Sequence, residues 1–256
     1  MDGNRGRLYG LTWPSGDFLS FDLKTHRLRD FGSFFEKGEA GTIGSTYRAI
    51  CRRIVLDPDD GNVYWTTGDG TLREYLYKSD SVGTVPDVSL RKDYFGQFDP
   101  SKYGMAYNWR AAVWNPNDHS IYGINGASGY LFRFDPVTRK LSVLRRLTSR
   151  PSQASGMFDK VPYGYLGLAL DAGTDTLYYL TGSPLPPRPG LDEGSHLITY
   201  DIATGKYEDH GEIMLDNGEP AGDEQAIVIG HHGTIYTLTK MHRDGRLVMD
   251  LISFHP

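Results

Sequence analysis

Five times along this chain an apolar residue is followed by tyrosine at a nearly constant interval. The pairs are Leu8-Tyr9, Val63-Tyr64, Ile121-Tyr122, Leu177-Tyr178 and Ile235-Tyr236, with steps of 55, 58, 56 and 58 residues. A repeat of this length means one small unit stacked on copies of itself, each copy burying its faces only against its neighbours. The copies share register as well as spacing. Seven residues before the tyrosine a turn begins in three of them, at Asp57-Pro58-Asp59-Asp60-Gly61-Asn62, Asn115-Pro116-Asn117-Asp118 and Asp171-Ala172-Gly173-Thr174, and the fifth carries the shorter Gly230-His231-His232-Gly233. Three residues after the tyrosine a short polar residue recurs in all five, as Thr12, Thr67, Asn125, Thr181 and Thr239.

Short alternating segments bounded by turn residues predict β-strands within each copy, and no segment has the spacing of a long amphipathic helix. The third copy shows four strands, Ala111 to Trp114, Ser120 to Ile124, Tyr130 to Asp135 and Lys140 to Arg145, termed A to D. Strand C recurs as 18–22, 131–135 and 197–201, each time followed by a tight turn: Leu23-Lys24-Thr25-His26, Pro136-Val137-Thr138-Arg139 and Ile202-Ala203-Thr204-Gly205-Lys206. A four-stranded twisted sheet leaves both faces bare until it stacks around an axis, so the expected fold is all-β, a β-propeller of four-stranded blades. One domain spans 1–256, with repeats near 1–48, 49–107, 108–163, 164–222 and 223–256. The first copy starts at strand B and the last stops after strand C, giving 18 strands and two incomplete blades. This count favours a piece of a six- or seven-bladed ring; a closed five-bladed ring with irregular edges is the alternative.

Composition narrows the partners. With 27 Lys plus Arg against 32 Asp plus Glu and a net charge of −5, the chain has no basic run to match a nucleic-acid backbone or an anionic membrane. Its single cysteine, Cys51, rules out an internal disulfide and a cysteine-built zinc site. No apolar run reaches the length of a membrane span, and the polar start at 1–7 lacks the apolar core of a signal peptide, so a cytoplasmic location is the default expectation unless the N-terminus is truncated.

The segments at 200–206, Tyr-Asp-Ile-Ala-Thr-Gly-Lys, and at 134–140, Phe-Asp-Pro-Val-Thr-Arg-Lys, resemble bacterial YVTN-type propellers. The wider likeness, over nearly the whole chain, is to the family of large bacterial propellers that includes polysaccharide lyases and related rhamnosidases. The resemblance implies blades, and in several members histidine-centred chemistry. No histidine here precedes a strand A, which is a departure from that pattern.

In such a fold strand A lines the central channel, and the D to A and B to C connections share one face. Those connections are the long ones: 32–50, 80–110, 147–166 and 214–225, with an inserted B to C loop at 182–196 rich in Pro and Gly. Residues entering strand A on that face are therefore the candidate site: Tyr47 and Arg48 with Arg52, then Tyr107, Asn108, Trp109 and Arg110, then Tyr163 and Tyr165, then Asp223, Glu224 and Gln225. Arg52 and Arg110 share a repeat position, twelve before the marker tyrosine. Two guanidiniums at a channel mouth suit a carboxylate or phosphate, and tyrosine and tryptophan faces suit sugar rings. The same arginines equally suit a structural task, tying neighbouring blades, and the same tyrosines suit blade packing.

Other signals carry less. The glycines of 123–129 have no helix behind them and read as a hairpin turn rather than a phosphate loop. Asp57-Pro58-Asp59-Asp60-Gly61 starts like a calcium loop but has glycine at a ligand position and no closing glutamate at Gly68, so it reads as an acidic turn. His231-His232 lies in a hairpin on the plain face, where neighbouring side chains diverge; no metal and no cofactor is expected. His196 and His242 are the two histidines expected on the loop-rich face.

Two functions fit. One is a lyase on uronate-containing polysaccharide or oligosaccharide. There Arg52 or Arg110 neutralises the uronate carboxylate, while Tyr107, Tyr163, Tyr165 or His196 moves protons; Tyr47, Arg48, Trp109, Asp223 and Glu224 complete the substrate surface. The other is a non-catalytic propeller that binds a glycan, a peptide or a protein through that face. The expected partner in either case is carbohydrate or another small polar ligand, with neither nucleic acid nor membrane.

Overall fold

The computed structural model describes residues 1–13, 15–34, 51–90, 107–125, 129–154, 167–181, 194–224, 226–243 and 245–256, with backbone alone at 223, 224 and 242. Its described residues form five antiparallel sheets, the blades of a β-propeller. Blade 1 holds β1 (Arg7–Leu11), β2 (Asp17–Asp22) and β3 (Arg27–Ser33). Blade 2 runs β4 (Val55–Leu56), β5 (Val63–Thr66), β6 (Thr71–Leu76) and β7 (Ser81–Ser89). In blade 3 the order is β8 (Trp109–Asn115), β9 (Ser120–Asn125), β10 (Tyr130–Asp135) and β11 (Lys140–Arg146), followed by a single helical turn, α1 (Arg150–Ala154). Blade 4 contains β12 (Leu168–Asp171), β13 (Thr176–Leu180), β14 (His196–Asp201) and β15 (Tyr207–Glu212). Blade 5 contains β16 (Asp223–Glu224), β17 (Val228–Ile229), β18 (Ile235–Arg243) and β19 (Arg246–Phe254).

Strands predicted for the third copy match within two residues at either end, and blade 1 does begin at its second strand position. Two details differ from expectation. The stretch 80–110, read as one long connection, contains the outermost strand of blade 2, β7. In blade 5, β16 and β17 pair with the same edge of β18, at Lys240/Thr239 and at Tyr236/Ile235, so they are two halves of one interrupted inner strand.

The turn after each third strand is built locally. Asp22, Asp135 and Asp201 each accept backbone N–H bonds from residues two or three further on, at 2.8–3.0 Å. These bonds favour the ionised form, and all three carboxyls lie below their usual range. The turn closes through a left-handed residue, His26, Arg139 or Gly205.

Why the tyrosine repeats is visible in the packing between blades. Tyr9 packs on Tyr75 of blade 2, ring centroids 5.3 Å apart, and Tyr64 packs edge-on to Phe134 of blade 3 at 5.4 Å. Tyr122 joins the cluster of Leu168, Leu177 and Tyr179 in blade 4, and the half-buried Tyr178 packs on the cluster with Ile227 and Ile235 of blade 5. The marker thus always faces the following blade. Tyr236 has no following blade among the described residues; it is 41% exposed, beside exposed Leu238, Met249 and Leu251. Aromatic stacking supports the same seams, with Phe18 lying flat on Trp65 at 4.4 Å.

Polar ties run beside the apolar ones. Arg139 of blade 3 pairs with the buried Glu74 of blade 2, and Arg145 lies 4.3 Å over the ring of Tyr207 in blade 4. Arg5 donates to the carbonyls of Pro58 and Asp59, while Asn115 and Asn117 reach Asp175. Stacked in this way, the inner strands lie side by side: β4 on β8, β8 on β12, and β12 on β17.

Candidate functional site

The seam between blades 2 and 3 is fixed by hydrogen bonds around the entry to β8. Thr66, closing β5, donates to Asn108 Oδ1 at 3.0 Å and accepts the Trp109 N–H at 3.1 Å. The Trp109 indole N–H donates to the Arg53 carbonyl at 2.7 Å, which also accepts Cys51 Sγ at 3.0 Å. Arg53 in turn donates through Nε to the Ala112 carbonyl at 3.3 Å. Cys51 is buried, and burial pushes its thiol pKa up, so it is a packing residue rather than a ready nucleophile.

This seam decides what the candidate residues present. Trp109 is 0% exposed with its ring stacked on Phe132, so it is part of the core rather than an open face for a sugar. Arg110 is buried at 4% and Arg52 is half-buried, both at the loop-rich end of adjacent inner strands. Tyr107, half-buried, is held there by its backbone N–H on the Gly68 carbonyl at 3.1 Å. Asp223 and Glu224 form β16 and pair with Lys240 and Thr239. Tyr47, Arg48, Tyr163 and Tyr165 lie outside the described residues.

Arg53 was not singled out by the repeat, yet it is the exposed cation of the seam. Its position, eleven before the marker tyrosine, holds Ala111 and Gly167 in the next two copies. That contrast, an arginine where the next two blades carry small residues, is the signal that marks it. Arg53 stands at the rim of a cavity of about 470 Å³ lined by the inner strands of blades 2 to 5, including Leu56, Val113, Trp114, Leu170 and Val228.

A second arrangement lies on the outer strands of blade 4. His196 opens β14, with its backbone N–H on Thr181 Oγ1 at 2.9 Å and its ring Nδ1 2.8 Å from Asp209 Oδ1. A register shift between His196 and Ile198 swings the two residues together. Asp209 is itself held by the backbone N–H groups of Arg150 at 2.7 Å and Gly211 at 2.9 Å. Burial works against its charge, but these N–H donors and His196 outweigh it, and the carboxyl sits below the usual carboxylate range. Glu212 is opposite His196 in register and folds its carboxylate over Gly194, where a Cβ would come within 1.7 Å of Oε1. Sequence reasoning found His196 but not Asp209 or Glu212, because the bulge that joins them leaves no sequence mark. No group of three or more metal-ligating side chains occurs among the described residues.

Around the plain-face turns the expected acidic turn is seen. Asp57 Oδ1 accepts the N–H groups of Asp59 and Asp60, and Asp59 pairs with His119 at 2.5 Å. His231 and His232 occupy a 3-10 turn, 231–233.

No family model matches the chain, and no curated protein matches it. Solved structures do. An extracellular domain ascribed to a one component system of B. thetaiotaomicron superposes with a TM-score of 0.54 at 14% identity, over 93% of this chain and 25% of that one. An auxiliary nutrient binding protein from Bacteroides thetaiotaomicron gives 0.54 at 11% identity, over 97% of this chain and 55% of that one. Virginiamycin B lyase from Staphylococcus aureus gives 0.54 at 9% identity, over 99% and 71%. The chain thus spans a quarter to about half of the length of the first two. At such identities the likeness concerns architecture alone, and by its own five sheets and by these superpositions the chain is a β-propeller.

Proposed function

We propose that this propeller is a binding protein whose loop-rich face takes an acidic carbohydrate without transforming it. The observation that carries the reading is the placement of Arg52 and Arg110 at the loop-rich ends of two adjacent inner strands, with Tyr107 at the entry to the second. Guanidinium groups recognise a uronate carboxylate through paired, charge-assisted bonds. A structural neighbour named as a nutrient binding protein is in keeping with it.

Elimination asks for more than a cation: a base and an acid must reach one sugar carbon and its leaving oxygen, within about 3 Å. His196 with Asp209 lies on the third and fourth strands of blade 4, and strands are spaced about 4.8 Å apart, so the pair stands roughly 10 Å outward from the inner strand. This separation favours binding over catalysis. The hydrogen bond that orients the His196 ring on Asp209 supports a second reading, a lyase with His196 as its base.

Isothermal titration with uronate-containing oligosaccharides tests the first reading. Arg52→Gln should weaken binding about tenfold while leaving the melting curve in place. Loss of melting temperature with binding intact would make Arg52 a blade tie and remove the reading. An unsaturated product that disappears in His196→Ala would replace it with the lyase.

A further inference from the structure

We infer that the central cavity is a second site, independent of the carbohydrate reading, for an unbranched amphipathic carboxylate whose head meets Arg53 and whose tail runs down the channel. The lining repeats in register. Leu56, Trp114, Leu170 and Val228 each stand eight residues before the marker tyrosine of their own blade, Tyr64, Tyr122, Tyr178 and Tyr236, and all four border the cavity. One repeat position therefore builds an apolar ring around the axis, with Val113 beside it.

Against this lining stands one charge. Among the described residues Arg53 is the single ionisable one bordering the cavity, and it sits at the loop-rich end, just ahead of β4. Its Nε is anchored on the Ala112 carbonyl. No carboxylate is paired with its two terminal nitrogens among the described residues, so a fork of donors is oriented by the fold and left for an acceptor. About 470 Å³ falls within the range of small-ligand sites. A sugar would leave its hydroxyls without partners against leucine, valine and alanine, whereas an aliphatic tail loses nothing there. The anion at one end and the apolar ring below it together select a chain with a carboxylate at its terminus.

Calorimetric titration of the full chain with hexanoate, octanoate and decanoate, each below its micellar concentration, measures this directly, with decanol as the uncharged control. Each added methylene that enters the channel should tighten binding roughly fourfold. Decanoate should bind about tenfold or more tightly than decanol, and Arg53→Gln should abolish that difference while leaving decanol unchanged. Val228→Asp, at a position 61% exposed and tolerant of change, should weaken both ligands by placing a carboxylate in the ring. Uronate oligosaccharide binding that persists in Val228→Asp would show the two sites to be separate. Equal affinity for acid and alcohol, the same affinity at every chain length, an Arg53→Gln variant like the wild type, or no heat with any ligand would each overturn the site.

Discussion

Replacing Trp109 separates a framework role from a ligand-contacting one. The indole is fully buried, stacked on Phe132, and donates to the Arg53 carbonyl at 2.7 Å. Truncation to alanine removes a large buried ring and leaves a cavity, a change that costs about 3–5 kcal/mol. Phenylalanine keeps most of the packing and loses the hydrogen bond, about 1–2 kcal/mol, because the Arg53 carbonyl retains Cys51 as a donor. With 256 residues the unfolding entropy is roughly 0.5 kcal/mol per degree. The melting temperature should then fall by roughly 7 °C for Trp109→Ala and about 3 °C for Trp109→Phe. Thermal unfolding followed by circular dichroism reads both, alongside titration with uronate oligosaccharide. A Trp109→Ala variant that melts within about a degree of the wild type while losing the glycan would refute the core assignment and make the ring a sugar platform.

Three further predictions address the repeat, the pH response and the backbone. Tyr122 and Tyr236 hold the same repeat position, 2% and 41% exposed, so alanine should cost about 3–5 kcal/mol at Tyr122 and under about 1 kcal/mol at Tyr236; equal costs in chemical denaturation would break the assigned register. The Asp209 carboxyl is held below its unfolded value of about 3.9, so its stabilisation is present above that pH and is lost as pH falls through the folded value. Asp209→Asn should therefore lower stability by about 1–3 kcal/mol at neutral pH, with the gap to the wild type closing in acid; a gap that stays constant down to about pH 2 argues against the charge. His232 has φ +62, and His232→Gly should raise stability by roughly 0.5–1 kcal/mol through release of left-handed strain, with no rise in melting temperature as the contrary result.

How far the sequence could be read depended on how local each interaction is. The third-strand turns were legible because Asp135 bonds to Val137 and Thr138, neighbours in the chain. Strand β7 was hidden by Gly83 and Pro86, which read as loop residues. As the outermost strand of its blade it can hold a proline, whose missing N–H would otherwise interrupt a ladder. The shift of register between Thr71 and Arg73 absorbs the irregularity there, and Asp87 takes a left-handed conformation at φ +59.

The site was less legible for a reason that follows from the repeat itself. A residue that recurs at one blade position does a job every blade needs, and in Tyr64 and Tyr122 that job is covering the next blade. Arg52 and Arg110 recur in the same way, and Arg110 is buried in the seam accordingly. Trp109 reads as an exposed platform or as core with equal ease until Thr66 and Phe132, distant in sequence, are seen to enclose it. Arg53 breaks the pattern, standing where the next two copies carry Ala111 and Gly167. Blade geometry does not require a guanidinium there, since two blades form without one. In a repeat protein a departure from the repeat marks chemistry that the blades themselves do not need, and the rim at Arg53 is such a departure, whereas the recurring Arg52 and Arg110 are assigned to ligand or to blade by the paired titration and melting curve of Arg52→Gln.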